Sequence, residues 1–375
     1  MRFLVLLLAL LVLVACGSAA DETGQTNPPS DVIENSDTHD DTLEPAEGLS
    51  ELDGDEDTSA VEEVQTPPDT HEDDTKTEPA DAVQDILQGD TGAEDTDTAT
   101  SGNQCFAEKQ GAITVDYDQF SPTFGSHCMG TNHQDIDGIE KVVFLGDSVT
   151  VGTPPYIGYS VHLFGALQEK YGLLELASCA EWGARTDDLL VGKKQIPKCF
   201  PEMEEKRTLV VMTVGSNDIS SMAQNKLSEE EAMVESEKML DLFRDAIRWF
   251  GDHPELFPKG VFIIFANIYE FTDGTGDVSS CPVAGLAGFD KSWSEGAQAF
   301  THIMEQYMKL AVEESRDVIL MQENFCGHGF KKDDPTTQCY LGPDVEMWFD
   351  PFTCTHPNNE GHKALSDMFM AVEGE

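Results

Sequence analysis

The sequence is poor in positive charge. Its 375 residues include 22 lysines and arginines against 71 aspartates and glutamates, which gives a formal net charge of −49 at pH 7. Such an excess of negative charge repels phosphate backbones, so the composition argues against a nucleic-acid partner. The simplest interpretation of the charge is a soluble, solvated surface, and cation binding by the acidic part of the chain is the alternative.

Aromatic residues and cysteine are absent from a long stretch, residues 17–104. This stretch holds 27 acidic residues and a single basic one, Lys76, and it is rich in Thr, Pro and Gly. A segment with so little hydrophobicity cannot bury enough apolar surface to offset the entropy of ordering it. We therefore predict an extended, disordered acidic linker over 17–104, followed by one globular domain over 105–375 that is large enough to enclose a core.

The apolar run from Phe3 to Ala15 is too short to span a membrane as a helix, which takes roughly 20 residues. It follows Arg2 and has the length of a signal-peptide core. Its end, Leu13-Val14-Ala15-Cys16-Gly17, resembles a bacterial lipobox. The resemblance implies a signal peptide over 1–16, cleavage before Cys16, lipidation of Cys16 and anchoring in the bacterial cell envelope, with Gly17 favouring the outer membrane. An ordinary signal peptide that happens to contain a cysteine is the alternative.

Paired CxxC spacings are also missing, which argues against a zinc site. Once Cys16 is set aside, an even number of cysteines remains: Cys105, Cys128, Cys179, Cys199, Cys281, Cys326, Cys339 and Cys354. Eight cysteines can form four disulfides in an oxidising compartment, and their spacing does not reveal which residues pair. We predict neither a metal site nor a cofactor.

Five short apolar runs predict buried strands, at 141–146, 173–178, 208–214, 261–267 and 317–322. Apolar stripes at helical spacing predict helices at 159–171, 228–250 and 294–312. Ser228 and Glu231 have the spacing of a capping box at the start of the second helix. Alternating strands and helices predict an α/β fold, a three-layer sandwich with a mostly parallel five-stranded sheet of the flavodoxin-like type. Functional sites in such folds lie at the carboxyl ends of the strands.

Four short motifs stand where that site is expected. Gly146-Asp147-Ser148 follows the first predicted strand, Gly183 the second and Gly215-Ser216-Asn217-Asp218 the third, and His356-Pro357 stands near the C-terminus. In this order they resemble the four blocks of the SGNH (GDSL) hydrolase family of serine esterases and lipases, over about residues 141–370. Each motif alone is weak, but their order and their positions at strand ends make the resemblance specific.

The resemblance implies a role for each matched residue. Ser148 matches the nucleophile, and His356 matches the base that takes its proton and returns it to the leaving alcohol. The oxyanion hole is implied to consist of the backbone N–H groups of Ser148 and Gly183 and the side-chain amide of Asn217. The implied function is hydrolysis of carboxylic esters through an acyl-enzyme on Ser148, by a secreted, lipid-anchored esterase.

One position departs from the family pattern. The aspartate usually found three residues before the histidine is replaced by Thr353. Asp350, six residues ahead, could orient the imidazole if the chain turns at Pro351, and the backbone carbonyl of Thr353 is the alternative. Of the two, we favour Asp350.

This departure leaves two other functions open. One is a surface protein of the same fold that has lost activity and binds a glycan or lipid, and the other is an acyltransferase in which an acceptor sugar replaces water. The motifs do not define the substrate, so acetylated polysaccharide, short-chain esters and phospholipids all remain open.

Several residues near the motifs carry expectations of their own. We predict that Asp147 braces the nucleophile loop and that His362 is structural or exposed. Asp273 and Asp277 are predicted to form an acidic turn, with calcium binding as the alternative. The segments 149–158, 216–227 and 268–293 are predicted to shape the pocket, and the candidate wall residues, each of which could equally belong to the core, are Tyr156, Phe271 and Trp293.

Overall fold

The computed structural model describes residues 105–106, 115–287 and 292–375. The predicted signal peptide at 1–16 with Cys16, and the predicted linker at 17–104, lie outside the described residues. Within the described ranges, no helix is both long enough and apolar enough to cross a membrane.

Five strands form one sheet in which all neighbours run parallel. They are β1 (Lys141–Gly146), β2 (Glu175–Ser178), β3 (Thr208–Thr213), β4 (Val261–Ala266) and β5 (Asp317–Ile319). Their order in the sheet is β2-β1-β3-β4-β5, so the direction of winding reverses at β1. A crevice at the carboxyl ends of the strands forms at such a reversal, which places β1 and β3 at the centre of any site.

Eight helices of the described part surround the sheet: α1 (Ser148–Val151), α2 (Tyr159–Tyr171), α3 (Gln195–Cys199), α4 (Ser216–Gln224), α5 (Glu229–Asp252), α6 (Ala297–Glu313), α7 (Met321–Phe325) and α8 (Asn359–Glu373). The three helices expected from the sequence are α2, α5 and α6. The capping box at α5 is confirmed, because the Ser228 side chain caps Glu231 N–H while the Glu231 carboxylate accepts from Ser228 N–H.

Each face of the sheet has its own hydrophobic core. In β1, Val143 and Leu145 point to one core, which also contains the buried residues of α5 and α6. Val142 and Phe144 point to the other, which contains the buried residues of α2 and α8. This alternation is that of a strand covered by helices on both sides. The predicted three-layer α/β sandwich with a parallel five-stranded sheet is therefore confirmed.

The buried face of α2 differs from the prediction. The sequence pattern placed Phe164, Leu167 and Tyr171 inward, whereas the helix buries Tyr159, Leu163 and Leu167. The reason is the aromatic contact with α8, since the Tyr159 ring stacks on Phe369 with 5.2 Å between the ring centroids. This contact rotates the inward face by about one residue and leaves Phe164 and Tyr171 half-buried.

The last strand is shorter than predicted. The run at 317–322 was expected to be strand throughout, but β5 ends at Ile319 and α7 begins at Met321. The segment around Gly130 covers the outer edge of β5 by pairing antiparallel with Ile319, and Leu320 N–H donates to the Met129 carbonyl at 2.8 Å. Leu320 and Met321 stay buried outside the strand, so the apolar run reflected burial rather than strand structure.

Four disulfides connect the domain, between Cys105 and Cys128, Cys179 and Cys199, Cys281 and Cys354, and Cys326 and Cys339. Their Cα–Cα distances run from 5.2 to 6.0 Å, within the range that disulfides need. Four disulfides fit an oxidising, extracytoplasmic environment, as predicted.

Candidate active site

Ser148 is the first residue of α1, directly beyond the end of β1. The turn depends on Gly146, whose φ is +116° and where a Cβ would stand 2.0 Å from the Thr213 carbonyl oxygen of the adjacent strand. Only glycine can adopt this conformation so close to another backbone. The buried side chain of Gln195 bonds both polar groups of Gly146, accepting from its N–H at 2.7 Å and donating to its carbonyl at 2.9 Å. Sequence analysis missed Gln195, because it lies far from the motif in the chain.

Asp147 caps α1 and braces the nucleophile, as predicted. Its Oδ1 accepts from Val149 N–H at 3.0 Å and from the Thr213 hydroxyl at 3.1 Å. The Thr213 and Thr150 hydroxyls lie 2.8 Å apart, and Thr150 in turn lies 2.8 Å from the Tyr159 hydroxyl. Burial raises the pKa of the Asp147 carboxyl to about 7. The turn that carries Ser148 is thus tied to β3 and α2 by a buried polar network.

His356 reaches Ser148 from the other end of the domain. Its Nε2 lies 2.7 Å from the Ser148 Oγ, although 208 positions separate the two residues. This distance is within the hydrogen-bond reach that a general base requires. Desolvation by the surrounding protein lowers the pKa of His356 to about 4, and the charge of Asp350 opposes this shift. The imidazole is therefore neutral at pH 7 and can accept a proton.

Asp350 lies in the same loop as His356 but bonds to other groups. One carboxylate oxygen accepts from the Tyr156 hydroxyl at 3.1 Å and from Phe352 N–H at 3.2 Å. The other accepts from Thr353, through its N–H at 3.1 Å and its hydroxyl at 2.8 Å. The Nδ1 of His356 has no hydrogen-bond partner in the described part of the chain. Neither the Asp350 carboxylate nor the Thr353 carbonyl is hydrogen-bonded to the ring, and the orienting role of Asp350 stays a prediction.

The loop that carries His356 is fixed by contacts on both sides of the imidazole. Asp350 N–H donates to the His356 carbonyl and Cys354 N–H donates to the Asp350 carbonyl, each at 2.9 Å. The Tyr269 hydroxyl donates to the Thr355 carbonyl at 2.8 Å. The disulfide from Cys354 to Cys281 ties the loop to the segment that follows β4. Sequence analysis found the loop but missed Tyr269, which no motif marks.

The second and third motifs contact each other beside this pair. Asn217, in the first turn of α4, donates its side-chain amide to the Ala184 carbonyl at 2.9 Å. Asp218 accepts from Thr186 N–H at 3.2 Å and from its hydroxyl at 3.1 Å. Burial raises the pKa of Asp218 to about 6. These bonds hold the chain beside Gly183 against the start of α4.

Gly183 itself has a φ of +71°, and no atom lies within 4 Å of where its Cβ would be. The side of Gly183 on which a side chain would stand is therefore open. The predicted assignment of Ser148, Gly183 and Asn217 as oxyanion donors stays a prediction.

The candidate wall residues are divided between the site and the core. Tyr156 is half-buried and contacts Asp350, so it lies beside the site. Phe271 is buried among the residues between the sheet and α8. Trp293 packs against the opposite core, and its indole N–H donates to the Leu227 carbonyl at 2.9 Å. Neither Phe271 nor Trp293 needs a role in substrate binding to explain it.

The remaining polar residues have structural contacts. His362 is buried, and its Nδ1 accepts from Tyr159 N–H at 3.2 Å. Asp273 accepts from the N–H groups of Gly327, Gly329 and Lys331 at 2.8 to 2.9 Å. Asp277 pairs with the Lys331 ammonium at 2.7 Å. Within the described ranges, no cluster of three or more His, Cys, Asp or Glu residues could hold a metal ion.

Comparisons with known proteins found one family model and several solved structures. Residues 142–369 match the family model described as GDSL-like lipase/acylhydrolase. Among solved structures, an acetyl xylan esterase, AlAXEase, is 17% identical, with a TM-score of 0.41 over 62% of this chain and 98% of its own. An extracellular lipase from Streptomyces rimosus is also 17% identical, with a TM-score of 0.40 over 62% of this chain and 99% of its own. Phospholipase A1 from Streptomyces albidoflavus NA297 is 15% identical, with a TM-score of 0.38 over 63% of this chain and 100% of its own. No curated protein sequence matches the chain.

Proposed function

The chain belongs to the GDSL-like lipase/acylhydrolase family and is a serine ester hydrolase, and on that premise we propose that Ser148 is its nucleophile and His356 its general base. The observation that carries the proposal is the distance of 2.7 Å between the Ser148 Oγ and the His356 Nε2. A serine hydroxyl is a weak nucleophile unless an adjacent base takes its proton. A neutral imidazole at this distance is such a base.

The reaction proceeds through an acyl-enzyme. As the Ser148 oxygen attacks the ester carbonyl, His356 takes the hydroxyl proton, and the carbonyl oxygen becomes negative. The backbone N–H groups of Ser148 and Gly183 and the Asn217 amide donate to this oxyanion. His356 then returns the proton to the alcohol oxygen as the bond between that oxygen and the acyl carbon breaks. Water, deprotonated by the same imidazole, attacks the acyl carbon. The acid is released as the bond from that carbon to the Ser148 oxygen breaks, and this oxygen takes the proton back from His356.

Asp350 supports His356 in two ways under this proposal. Its carboxylate accepts four hydrogen bonds that shape the loop before the imidazole. Its negative charge raises the pKa of His356, and so stabilises the imidazolium that forms during the reaction. The role is thus electrostatic and structural, without a direct bond to the ring.

The proposed location is the bacterial cell envelope, most specifically the outer membrane, through lipid on Cys16. The lipobox-like sequence and the four disulfides of the domain support a secreted, anchored protein. Expression in a bacterium supplied with labelled palmitate tests this, since the wild type incorporates label and Cys16→Ser does not. Label retained by Cys16→Ser would contradict lipidation at this residue.

The first test of the reaction is hydrolysis of p-nitrophenyl acetate together with labelling by a fluorescent organophosphonate. Wild type turns over and is labelled, whereas Ser148→Ala is unlabelled and loses about a million-fold in kcat. Ser294→Ala, at an exposed serine before α6, is the matched control and keeps both properties. A folded wild type that neither turns over nor reacts contradicts the proposal.

One observation favours a second candidate, a surface protein of the same fold that binds a glycan or lipid without turnover. The His356 Nδ1 lacks a hydrogen-bond partner among the described residues, which weakens the usual means of orienting the base. Under this alternative the wild type binds its ligand as tightly as Ser148→Ala and hydrolyses no ester. The same substrate and labelling experiment therefore separates the two candidates.

A further inference from the structure

Two aromatic side chains stand out by their exposure. In the described residues, Trp182 is 41% exposed and Phe352 is 77% exposed, whereas every other Phe, Tyr and Trp is buried or half-buried. Both belong to segments that form the site around His356. Aromatic side chains at the edge of a site are common ligand contacts.

Trp182 lies between β2 and Gly183, facing the proposed base. The centroid of its ring is 5.7 Å from that of the His356 imidazole, with 48° between the ring planes. Its backbone carbonyl accepts from the Lys193 ammonium at 2.9 Å, and Ala184, two residues on, is bonded to Asn217. The backbone on either side of the indole is therefore fixed, while much of the ring remains open to solvent.

Phe352 is held at a similarly fixed position in the His356 loop. Its N–H donates to the Asp350 Oδ1 at 3.2 Å, and the same oxygen accepts from the Tyr156 hydroxyl. Two residues further on, Cys354 is buried and bonded to Cys281. The Phe352 ring, 77% exposed, is therefore free to contact a ligand.

The chemistry of the base decides which half of the substrate meets these rings. His356 must give its proton to the oxygen of the leaving alcohol, so that oxygen comes within hydrogen-bond reach of the Nε2. The alcohol half of the ester therefore lies on the imidazole side of the site. Trp182 borders this side by its ring contact with His356. Phe352 lies four residues before His356 in the same loop.

We propose that Trp182 and Phe352 form the subsite for the alcohol half of the ester and that this alcohol is a neutral sugar ring; the assignment rests on the function proposed above. A pyranose offers an apolar C–H face to an aromatic ring, and an indole adds an N–H donor for hydroxyl groups.

The charge of the domain disfavours alcohols that carry an anionic group. Residues 105–375 carry 44 acidic and 20 basic side chains, which repels anionic headgroups. Lys193, whose ammonium donates to the Trp182 backbone carbonyl, lies 3.9 Å from carboxylate oxygens of both Glu181 and Asp188. In each turnover the ester bond between the acyl carbon and the sugar oxygen breaks, and that oxygen receives the proton from His356. Water then supplies the oxygen of the free acid.

The test varies each half of the substrate separately, with the full-length mature protein. Peracetylated methyl glucoside and ethyl acetate share an acyl group and differ in the alcohol, whereas p-nitrophenyl octanoate and p-nitrophenyl acetate differ in the acyl group. The variants are Trp182→Ala, Phe352→Ala and Trp182→Phe. Leu173→Ala, 96% exposed before the amino end of β2, is the matched control.

The expected result is a change in one ratio only. In Trp182→Ala and Phe352→Ala, kcat/KM for the sugar ester falls about tenfold relative to ethyl acetate, and Trp182→Phe recovers most of the loss. The ratio of octanoate to acetate stays within about twofold in every variant. If the octanoate ratio changes instead and the sugar ratio does not, the rings bind the acyl half and the proposal is overturned.

Two further arms complete the test. Faster turnover of phosphatidylcholine vesicles than of the sugar ester would overturn the assignment to a sugar. Binding of peracetylated methyl glucoside to Ser148→Ala, followed by calorimetry, separates the subsite from the reaction. If wild type is inert yet this binding is lost in Ser148→Ala/Trp182→Ala, the proposed hydrolysis fails and the subsite stands. If hydrolysis proceeds, but Trp182→Ala changes neither the binding of the glucoside nor the ratio of sugar ester to ethyl acetate, only the subsite assignment fails.

Discussion

Ser148 and His356 meet at 2.7 Å, but different interactions hold them there. The nucleophile lies just beyond the end of β1, where β3, Gln195 and a buried polar network fix its turn. The base sits in a loop that belongs to no strand of the sheet, held by a disulfide and by the side chains of Asp350 and Tyr269. The position of the nucleophile thus follows from the core of the fold, whereas the position of the base depends on cross-links added to it.

The largest expected effect follows from removing the base itself. In His356→Ala, kcat falls about a million-fold because the imidazole within 2.7 Å of the Ser148 hydroxyl is gone. The domain stays folded, since the imidazole is half-buried in a loop. Steady-state kinetics and thermal unfolding measure the two effects, with His302→Ala, at the His302–Glu237 pair of α6 and α5, as the control. A loss under tenfold would show that another base acts.

The nucleophile turn should respond in the opposite way, by losing stability. Gly146→Ala places a Cβ 2.0 Å from the Thr213 carbonyl at a φ of +116°, so we expect a loss of about 4 kcal/mol or a protein that does not fold. Gly172→Ala also lies at positive φ, +82°, but meets no atom within 4 Å, and should lose about 1 kcal/mol. Urea unfolding measures both losses of stability. Equal losses would show that the close approach of residue 146 to the Thr213 carbonyl adds no cost.

The disulfide of the base loop provides the next test. Cys281→Ala/Cys354→Ala should lower kcat about tenfold or more, because His356 lies two residues from Cys354, and should lower stability by about 3 kcal/mol. Cys105→Ala/Cys128→Ala removes a disulfide away from the loop and should lower stability with little change in kcat. The two double variants are compared by kinetics at a temperature where both are folded. Equal losses of kcat would contradict a specific role for the Cys281–Cys354 bond.

A smaller effect is expected from the charge of Asp350. Because this charge raises the pKa of His356, Asp350→Asn lowers that pKa and moves the acid limb of kcat/KM to lower pH, with about a tenfold loss of rate. Asp333→Asn, at an exposed carboxylate, is the control and should move neither quantity. A loss of a thousandfold or more would instead indicate a direct bond between Asp350 and the imidazole during the reaction.

The smallest expected effect concerns pH and the wild type. The pKa of His356 is lowered to about 4, so kcat/KM should persist well below the ordinary value of 6.5, and a pH–rate profile measures it. The folded state keeps His356 and His362 neutral, because their pKa values are lowered to about 4. The unfolded chain takes up protons on both residues below pH 6.5, so the free energy of unfolding decreases as pH falls from 6.5 towards 4. The raised pKa values of Asp147 and Asp218, about 7 and about 6, act in the opposite sense, with stability lost as pH rises from about 4.

These opposed contributions should leave the unfolding temperature nearly constant between pH 5 and 7. Thermal unfolding across that range checks the balance. If the unfolding temperature falls steeply towards pH 5, the two histidines dominate. If it rises steeply towards pH 5, the two aspartates dominate.

Local sequence patterns predicted the features of this molecule that depend on them. Apolar runs located all five strands, although β2 was predicted to be buried and is exposed at three of its four residues. The four motifs, three of which follow strands, predicted that His356 would meet Ser148. The same runs misplaced the end of β5, because Leu320 and Met321 are buried without belonging to the strand. The carboxylate of Asp350 could not be followed either, because the nearby donors of Phe352 and Thr353, and the distant hydroxyl of Tyr156, compete for it in ways that spacing does not encode.

The bridge between Gly130 and Ile319 has a consequence for the order in which the domain is completed. The outer side of β5 is shielded from pairing with other chains only when the segment around Gly130 lies along it. That segment is among the first parts of the domain to be synthesised and β5 is the last strand, so the shield cannot close until most of the chain is available. A chain stopped before Ile319 would keep its early segment without a partner, which makes incomplete chains poor at folding and easy for proteases to remove.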